Sequence, residues 1–116
     1  MVSMRYMELT VWKKSMDLVD EVYAMADSFP EKERHCLWSQ MTRAAISIPS
    51  NIAEGAGRTT NKEFVRFLAI ARGSLYELFT QLKIAERRQY LKVAEKVDAL
   101  STEIAKMLTS MINKAH

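Results

Sequence analysis

Arg43-Ala44-Ala45-Ile46-Ser47-Ile48-Pro49-Ser50-Asn51-Ile52-Ala53-Glu54-Gly55-Ala56-Gly57-Arg58 reads as a helix built largely of small residues, with a proline inside it and two glycines at its close. Small side chains let a helix backbone lie close to its neighbours, so the other segments are expected to pack around this one. Pro49 removes the amide that would bond the Ala45 carbonyl, at ~3 kcal/mol for an isolated helix. The apolar series Leu37, Met41, Ala45, Ile48 and Ile52 nevertheless keeps helical spacing straight through it. The sequence therefore favours a kinked continuous helix, beginning between Glu33 and Leu37, over two helices meeting at Ser47. Ser47 and Ser50 are placed to bond freed backbone groups, and Gly55 or Gly57 to supply a left-handed C-terminal cap.

Downstream, Thr60-Asn61-Lys62-Glu63 has the form of a capping box, with Thr60 as N-cap and Glu63 reaching back to it. Phe64, Leu68, Ala71, Leu75, Leu78, Leu82 and Ala85 then recur at intervals of 4, 3, 4, 3, 4 and 3, which predicts a long third helix. Gly73 and Ser74 interrupt its interior, and a mid-helix glycine sacrifices ~1 kcal/mol of propensity, so a close crossing against Ala44 to Ala53 is expected there. Upstream, Thr10 is a candidate N-cap, and Trp12, Met16, Val19, Tyr23 and Ala26 mark the expected buried face of a first helix ending near Ser28, before Pro30. Arg87 to Leu91 turns the chain into a fourth helix from about Val93 to Asn113, with Val97, Leu100, Ile104, Met107 or Leu108, and Met111 inward. Lys92 stands where a capping Ser or Asp is expected.

Four helices with short connections predict an all-α, antiparallel up-down-up-down four-helix bundle over residues 9–114, after an N-terminal tail of residues 1–8. The chain of 116 residues suits one domain, and three glycines and two prolines leave too few turn formers for a β-sandwich or barrel. No apolar run approaches a membrane span and the N-terminus lacks a signal-peptide core, so a cytoplasmic location is expected. Cys36 is the only cysteine, which rules out an intrachain disulfide.

The quoted stretch also supports a comparison. Leu9-Thr10-Val11-Trp12, Phe29-Pro30, the string from Arg43 to Gly55, Glu63-Phe64 with Phe67-Leu68, and Gly73-Ser74-Leu75-Tyr76-Glu77-Leu78 closely resemble the bacterial four-helix-bundle proteins encoded within 23S ribosomal RNA intervening sequences. That family includes relatives of the accessory variability determinant of diversity-generating retroelements. The resemblance spans roughly residues 9 to 112 and implies a ring-shaped homopentamer, no known enzymatic activity, and binding of nucleic acid or ribonucleoprotein through a basic surface.

The charge pattern is uneven. Residues 1–33 hold four Lys/Arg against seven Asp/Glu, a balance of −3; residues 34–90 hold nine against four, or +5; the last 26 residues stand at +1. That asymmetry suits either a polyanion or complementary faces meeting in an assembly. Arg58, Lys62 and Arg66 recur every four residues across the turn into the third helix, whose N-terminal dipole also attracts phosphate, and Lys83, Arg87 and Arg88 close its other end. These six are the candidate nucleic-acid contacts. Three cations per subunit become fifteen around a fivefold ring, giving a steep salt dependence and weak sequence specificity.

Arg43, Ser47, Ser50 and Glu54 share one helix face and, with Asn51, Arg66 and Glu77, are expected to form a buried polar network that fixes helix register. Only His35 and His116 could serve as histidine bases, and no Glu-x-x-His pair exists for a bundle metal centre, so the sequence predicts no catalytic residues, metal or cofactor. Tyr76 and Phe79 form a second apolar strip on the third helix, and Trp38, Val65 and Ile70 also fall off the main stripes. That surplus points to contact between identical subunits, or to a protein partner served by a scaffold.

Overall fold

The computed structural model describes residues 5–92 and 94–115. Its four helices are α1 (Thr10–Ala26), α2 (Leu37–Ala56), α3 (Asn61–Arg87) and α4 (Glu95–Ala115), and no strand occurs among the described residues. Short 3-10 turns at Arg5–Glu8 and Glu31–Glu33 precede α1 and α2. The first of these draws part of the expected tail onto the bundle, with Tyr6 edge-on to Trp12 at 5.5 Å. Residues 1–4 of the expected tail, and the expected α4 start at Val93, lie outside the described residues.

Side-chain pairs fix the helix directions. Lys14 of α1 bonds Glu103 of α4, and seven residues later Glu21 meets Lys96, seven residues earlier. Arg72 with Thr109 and Lys83 with Asp98 run α3 against α4 in the same opposed manner. Ser47 with Ser74, and Gly55 with Phe67, do so for α2 and α3. Each helix contacts its two neighbours in the order α1, α2, α3, α4 and back to α1, and the α2–α3 contact is the most extensive. The result is an antiparallel up-down-up-down bundle measuring 43 × 26 × 20 Å.

The α2 stripe holds: Met41, Ala45, Ile48 and Ile52 are fully buried and the helix is continuous through Pro49. Ser50 Oγ donates to the Ile46 carbonyl at 2.8 Å, one residue along from the carbonyl that loses its partner to the proline. The expected left-handed glycine cap does not form. Gly57 ends α2 at φ −85°, Gly55 lies buried within its last turn, and no glycine has positive φ. A side chain is excluded at Gly55 because a Cβ there would lie 2.8 Å from Phe67 Cβ. The close crossing of α2 and α3 is therefore at Gly55 and not at Gly73, where an added Cβ would meet nothing within 4 Å.

On α3 the sequence stripe is buried from Leu68 to Ala85. Thr60 Oγ1 accepts from the Glu63 amide at 3.2 Å, but the Glu63 carboxylate turns to Arg66, so half the capping box forms. On α1 the period is right and the phase is displaced: of the expected row Ala26 is buried, while Trp12 and Val19 pack only at the core's edge. Val11, Ser15, Leu18, Val22 and Ala26 face the core, whereas Met16 and Tyr23 are 40% and 37% exposed. Ser15 is buried there without penalty because its Oγ donates to the Val11 carbonyl at 2.7 Å. On α4 the core takes Val97, Ser101, Ile104, Leu108 and Ile112, with Leu100, Met107 and Met111 packed at its edge.

Candidate nucleic-acid interface

The α2–α3 corner brings three of the six sequence-predicted cations together. Arg58, just past α2, places its guanidinium 4.7 Å from the centre of the Phe67 ring, and Arg66, on the first turns of α3, places its own at 4.9 Å. Phe67 is nearly buried, so its ring is a fixed support that orients both guanidiniums. Lys62 stands one turn before Arg66, exposed and without an ion pair among the described residues.

Carboxylates offset much of this charge. Arg58 Nη2 bonds Glu54 Oε2 at 2.8 Å, and Arg66 Nε bonds Glu63 Oε2 at 3.0 Å. The corner thus holds three cations against two anions, a net +1. Both pairs are solvent-exposed, worth ~0–1 kcal/mol each, so a phosphate that reaches both guanidiniums can displace the carboxylates. Beside the corner, Arg5, Gly55, Arg58, Thr60 and Phe64 line a depression of about 250 Å³.

Lys83, Arg87 and Arg88 do not join this patch. Roughly 37 Å separates Lys62 from Arg87 along α3 at ~1.5 Å per residue. Lys83 bonds Glu86 and Asp98. Arg88 borders a latch between the two connections at this end, where Tyr90 Oη donates to Glu33 Oε2 at 2.6 Å and the Tyr90 ring packs on Phe29. The other oxygen of Glu33 accepts from the Leu37 amide at 3.3 Å, capping α2. The Tyr90 hydrogen bond, foremost, holds Glu33 below the usual carboxylate range, and the same bond raises the Tyr90 phenol. Across the α1–α4 seam, the bond to Glu21 raises Lys96.

The expected buried arginine–glutamate network is absent as such. Arg43 and Glu77 are exposed and enter no ion pair among the described residues, and Glu54 serves Arg58 at the surface. An uncharged trio replaces it: Asn51 Nδ2 donates to the Ser47 carbonyl at 2.8 Å and to Ser47 Oγ at 2.9 Å, and Ser47 Oγ meets Ser74 Oγ at 2.8 Å across the α2–α3 seam. A half-buried seam accepts neutral hydroxyls and an amide more cheaply than it would a desolvated ion pair. Sequence reasoning missed Phe67 as the support for two cations, and nothing in its spacing signals that role, since Arg58 reaches it across a turn.

Among the described residues no group of three or more His, Cys, Asp or Glu is placed to hold a metal ion. Among them, too, no helix is long and apolar enough to cross a membrane.

The family profile of the 23S rRNA-intervening sequence proteins matches residues 7–110, which takes in α1 to α3 and most of α4. This chain belongs to that family. The intervening-sequence fold is seen again in a crystal structure from Bacteroides thetaiotaomicron, a protein of unknown function from the S23 ribosomal protein family. It is 26% identical, with a TM-score of 0.78 over 89% of this chain and 98% of that one. Comparison with curated proteins gives no match. Neither finding indicates catalysis.

Proposed function

We propose that this intervening-sequence protein is a non-enzymatic, cytoplasmic homo-oligomer, a pentamer as its family resemblance implies, that binds RNA or a nucleic-acid-containing complex electrostatically. The observation that carries the reading is the pair of guanidiniums held on Phe67 beside the unpaired Lys62. An oriented guanidinium pair suits phosphate oxygens, and among the described residues no element presents a recognition helix or a stacking row of exposed aromatics, so backbone charge and shape are what it reads. The ribosomal RNA in the family's name and the ribosomal protein family of its structural neighbour agree with an RNA partner. With a net +1 at each corner, one copy binds weakly and affinity comes from repetition around the assembly.

The test is anisotropy of labelled single- and double-stranded RNA and DNA against salt. Wild type should bind at low ionic strength with a steep loss on adding salt, and the combined R58Q, K62Q and R66Q substitutions should flatten that slope. Binding that survives those substitutions with its slope unchanged would move the site away from the corner. No binding to any of the four probes at low salt favours the second reading, a scaffold for a protein partner, which the exposed apolar surface of the bundle supports.

A further inference from the structure

Helix hydroxyls in this chain tend to satisfy themselves. Ser15, Thr42, Ser50, Thr80 and Thr102 each donate to the carbonyl four residues back, at 2.7 to 3.0 Å. Ser101 of α4 does not. It is 2% exposed, and its Oγ has no hydrogen-bond partner among the described residues. A buried hydroxyl left unpaired costs stability until an incoming group bonds it.

Ser101 lines a groove of about 450 Å³ between α3 and α4. Leu75 and Ala105 line it with Ser101, and the rings of Tyr76 and Phe79 border it from α3, Tyr76 being 56% exposed. The hydroxyls of Thr80 and Thr102, also at the groove, are spent on their own helices. An apolar lining thus surrounds one buried, unspent polar atom, and a concave apolar surface with a few placed polar groups is the ordinary form of a small-molecule site.

The groove also has a charge axis. Past Phe79, Lys83 lies 4.9 Å from the centre of that ring and is held by two carboxylates, Glu86 and Asp98. At the opposite end Lys106 borders the groove and Lys114 lines its continuation, and neither enters an ion pair among the described residues. An anionic group is therefore drawn to the Lys106 end and repelled from the Asp98 end. Ser101 and Lys106 stand five residues apart on one helix, ~7.5 Å along its axis at ~1.5 Å per residue.

We infer that this groove binds an aromatic carboxylate carrying a hydrogen-bonding group at the far end of its ring. The ring lies between Tyr76 and Phe79, the far group bonds Ser101 Oγ, and the carboxylate meets the Lys106 ammonium. A para-hydroxyphenyl acid spans that separation. The groove shares no residue with the depression beside the Arg58 corner, so the inference stands apart from the nucleic-acid reading.

The experiment is titration of the isotope-labelled full chain with three probes, read by amide chemical shifts. 4-Hydroxyphenylacetate should give saturable shifts confined to residues 75–80 and 101–106, with Kd about 0.1–1 mM. Phenylacetate, which lacks the phenol, should bind ~3–10-fold more weakly, and 4-hydroxyphenylethylamine, which carries a cation in place of the anion, should not saturate. S101A should erase the difference between the two acids, and K106Q should weaken both by ~2–5-fold. Without ligand S101A should keep the wild-type Tm, because the hydroxyl it removes is unpaired; a lower Tm would show that hydroxyl already bonded and overturn the site. Equal affinity of wild type for the two acids, shifts confined to the Arg58 corner, or no saturation by either acid would overturn it as well. So would groove amides that move on diluting the protein and not on adding acid, since a second copy would then occupy the groove.

Discussion

Replacing Gly55 and, separately, Gly73 with alanine adds the same methyl group to two helices with opposite expected results. At Gly55 the new Cβ would stand 2.8 Å from Phe67 Cβ and 3.2 Å from Phe64 Cδ1. Phe67 Cβ is fixed to the α3 backbone and cannot rotate aside, so α2 and α3 must part to reach the 3.4 Å at which ordinary contact begins. That overpacking costs ~1–3 kcal/mol in a well-packed seam. At Gly73 the methyl meets nothing within 4 Å, so the substitution keeps only the propensity gain of ~0.5–1 kcal/mol. Gly55 is also helical and takes up to the same gain, so the difference between the two variants isolates most of the clash. For a chain of this size each kcal/mol moves Tm by roughly 4 °C, so G73A should melt ~4–12 °C above G55A and a little above wild type. Thermal scans at matched protein concentration read this directly, since association shifts Tm by mass action. A Tm for G55A at or above that of G73A would refute the claim that the glycine exists for the helix crossing.

Leu78 is fully buried on the inner row of α3, so L78A should lower unfolding free energy by ~2–5 kcal/mol in urea titration. Loss of the Ser74 hydroxyl in S74A leaves Ser47 Oγ without its partner across the seam, and a cost of ~0.5–1.5 kcal/mol is expected by the same assay. Glu33 is held below the usual carboxylate range, so the folded state takes up its proton later than the unfolded chain does. The stability it adds is present above the ordinary carboxylate value and is lost as pH falls through its lower folded value. The phenol of Tyr90 is raised, so its share is present in neutral solution and lost only as strong alkali ionises it. Tm against pH for Y90F should therefore converge on wild type at the acid extreme and lie below it at neutral pH; parallel curves would contradict the latch.

The elements were legible because α2 and α3 carry long unbroken apolar rows, and Met41, Ile48, Leu68, Leu75 and Leu82 are buried where those rows place them. The phase of α1 was not. Its true core row, Val11, Ser15, Leu18 and Val22, is interrupted by a serine, while the competing row has Trp12, Met16, Val19 and Tyr23. Weighing side chains by apolar size selects the second row, because nothing in the sequence says that Ser15 satisfies its hydroxyl on its own helix. Ser101 misled the reading of α4 in the same manner, sitting in the core row where Leu100 was expected. At the candidate interface the spacing of Arg58, Lys62 and Arg66 located the corner. What it left out was the pairing of Arg58 with Glu54 and Arg66 with Glu63, because i, i+3 and i, i+4 neighbours pair only if rotamers turn them together.

The misplaced row on α1 bears on assembly. A helix in a solitary four-helix bundle needs one apolar stripe, and the remaining surface tends to fill with charge for solubility. On α1 two apolar rows lie side by side, and the bundle consumes the one of smaller residues, leaving methionine and tyrosine in solvent. Helical periodicity reports that a face is apolar and carries no information on whether the same chain or another covers it. The larger residues are the ones that bury most area per side chain in a contact between subunits, where aromatic residues and methionine are enriched. Trp12 and Val19 of the expected row do pack at the edge of this chain's core, so the sequence reading found a real apolar face, and Met16 and Tyr23 are the members of it that the fold leaves exposed, as it leaves Tyr76 on the opposite flank.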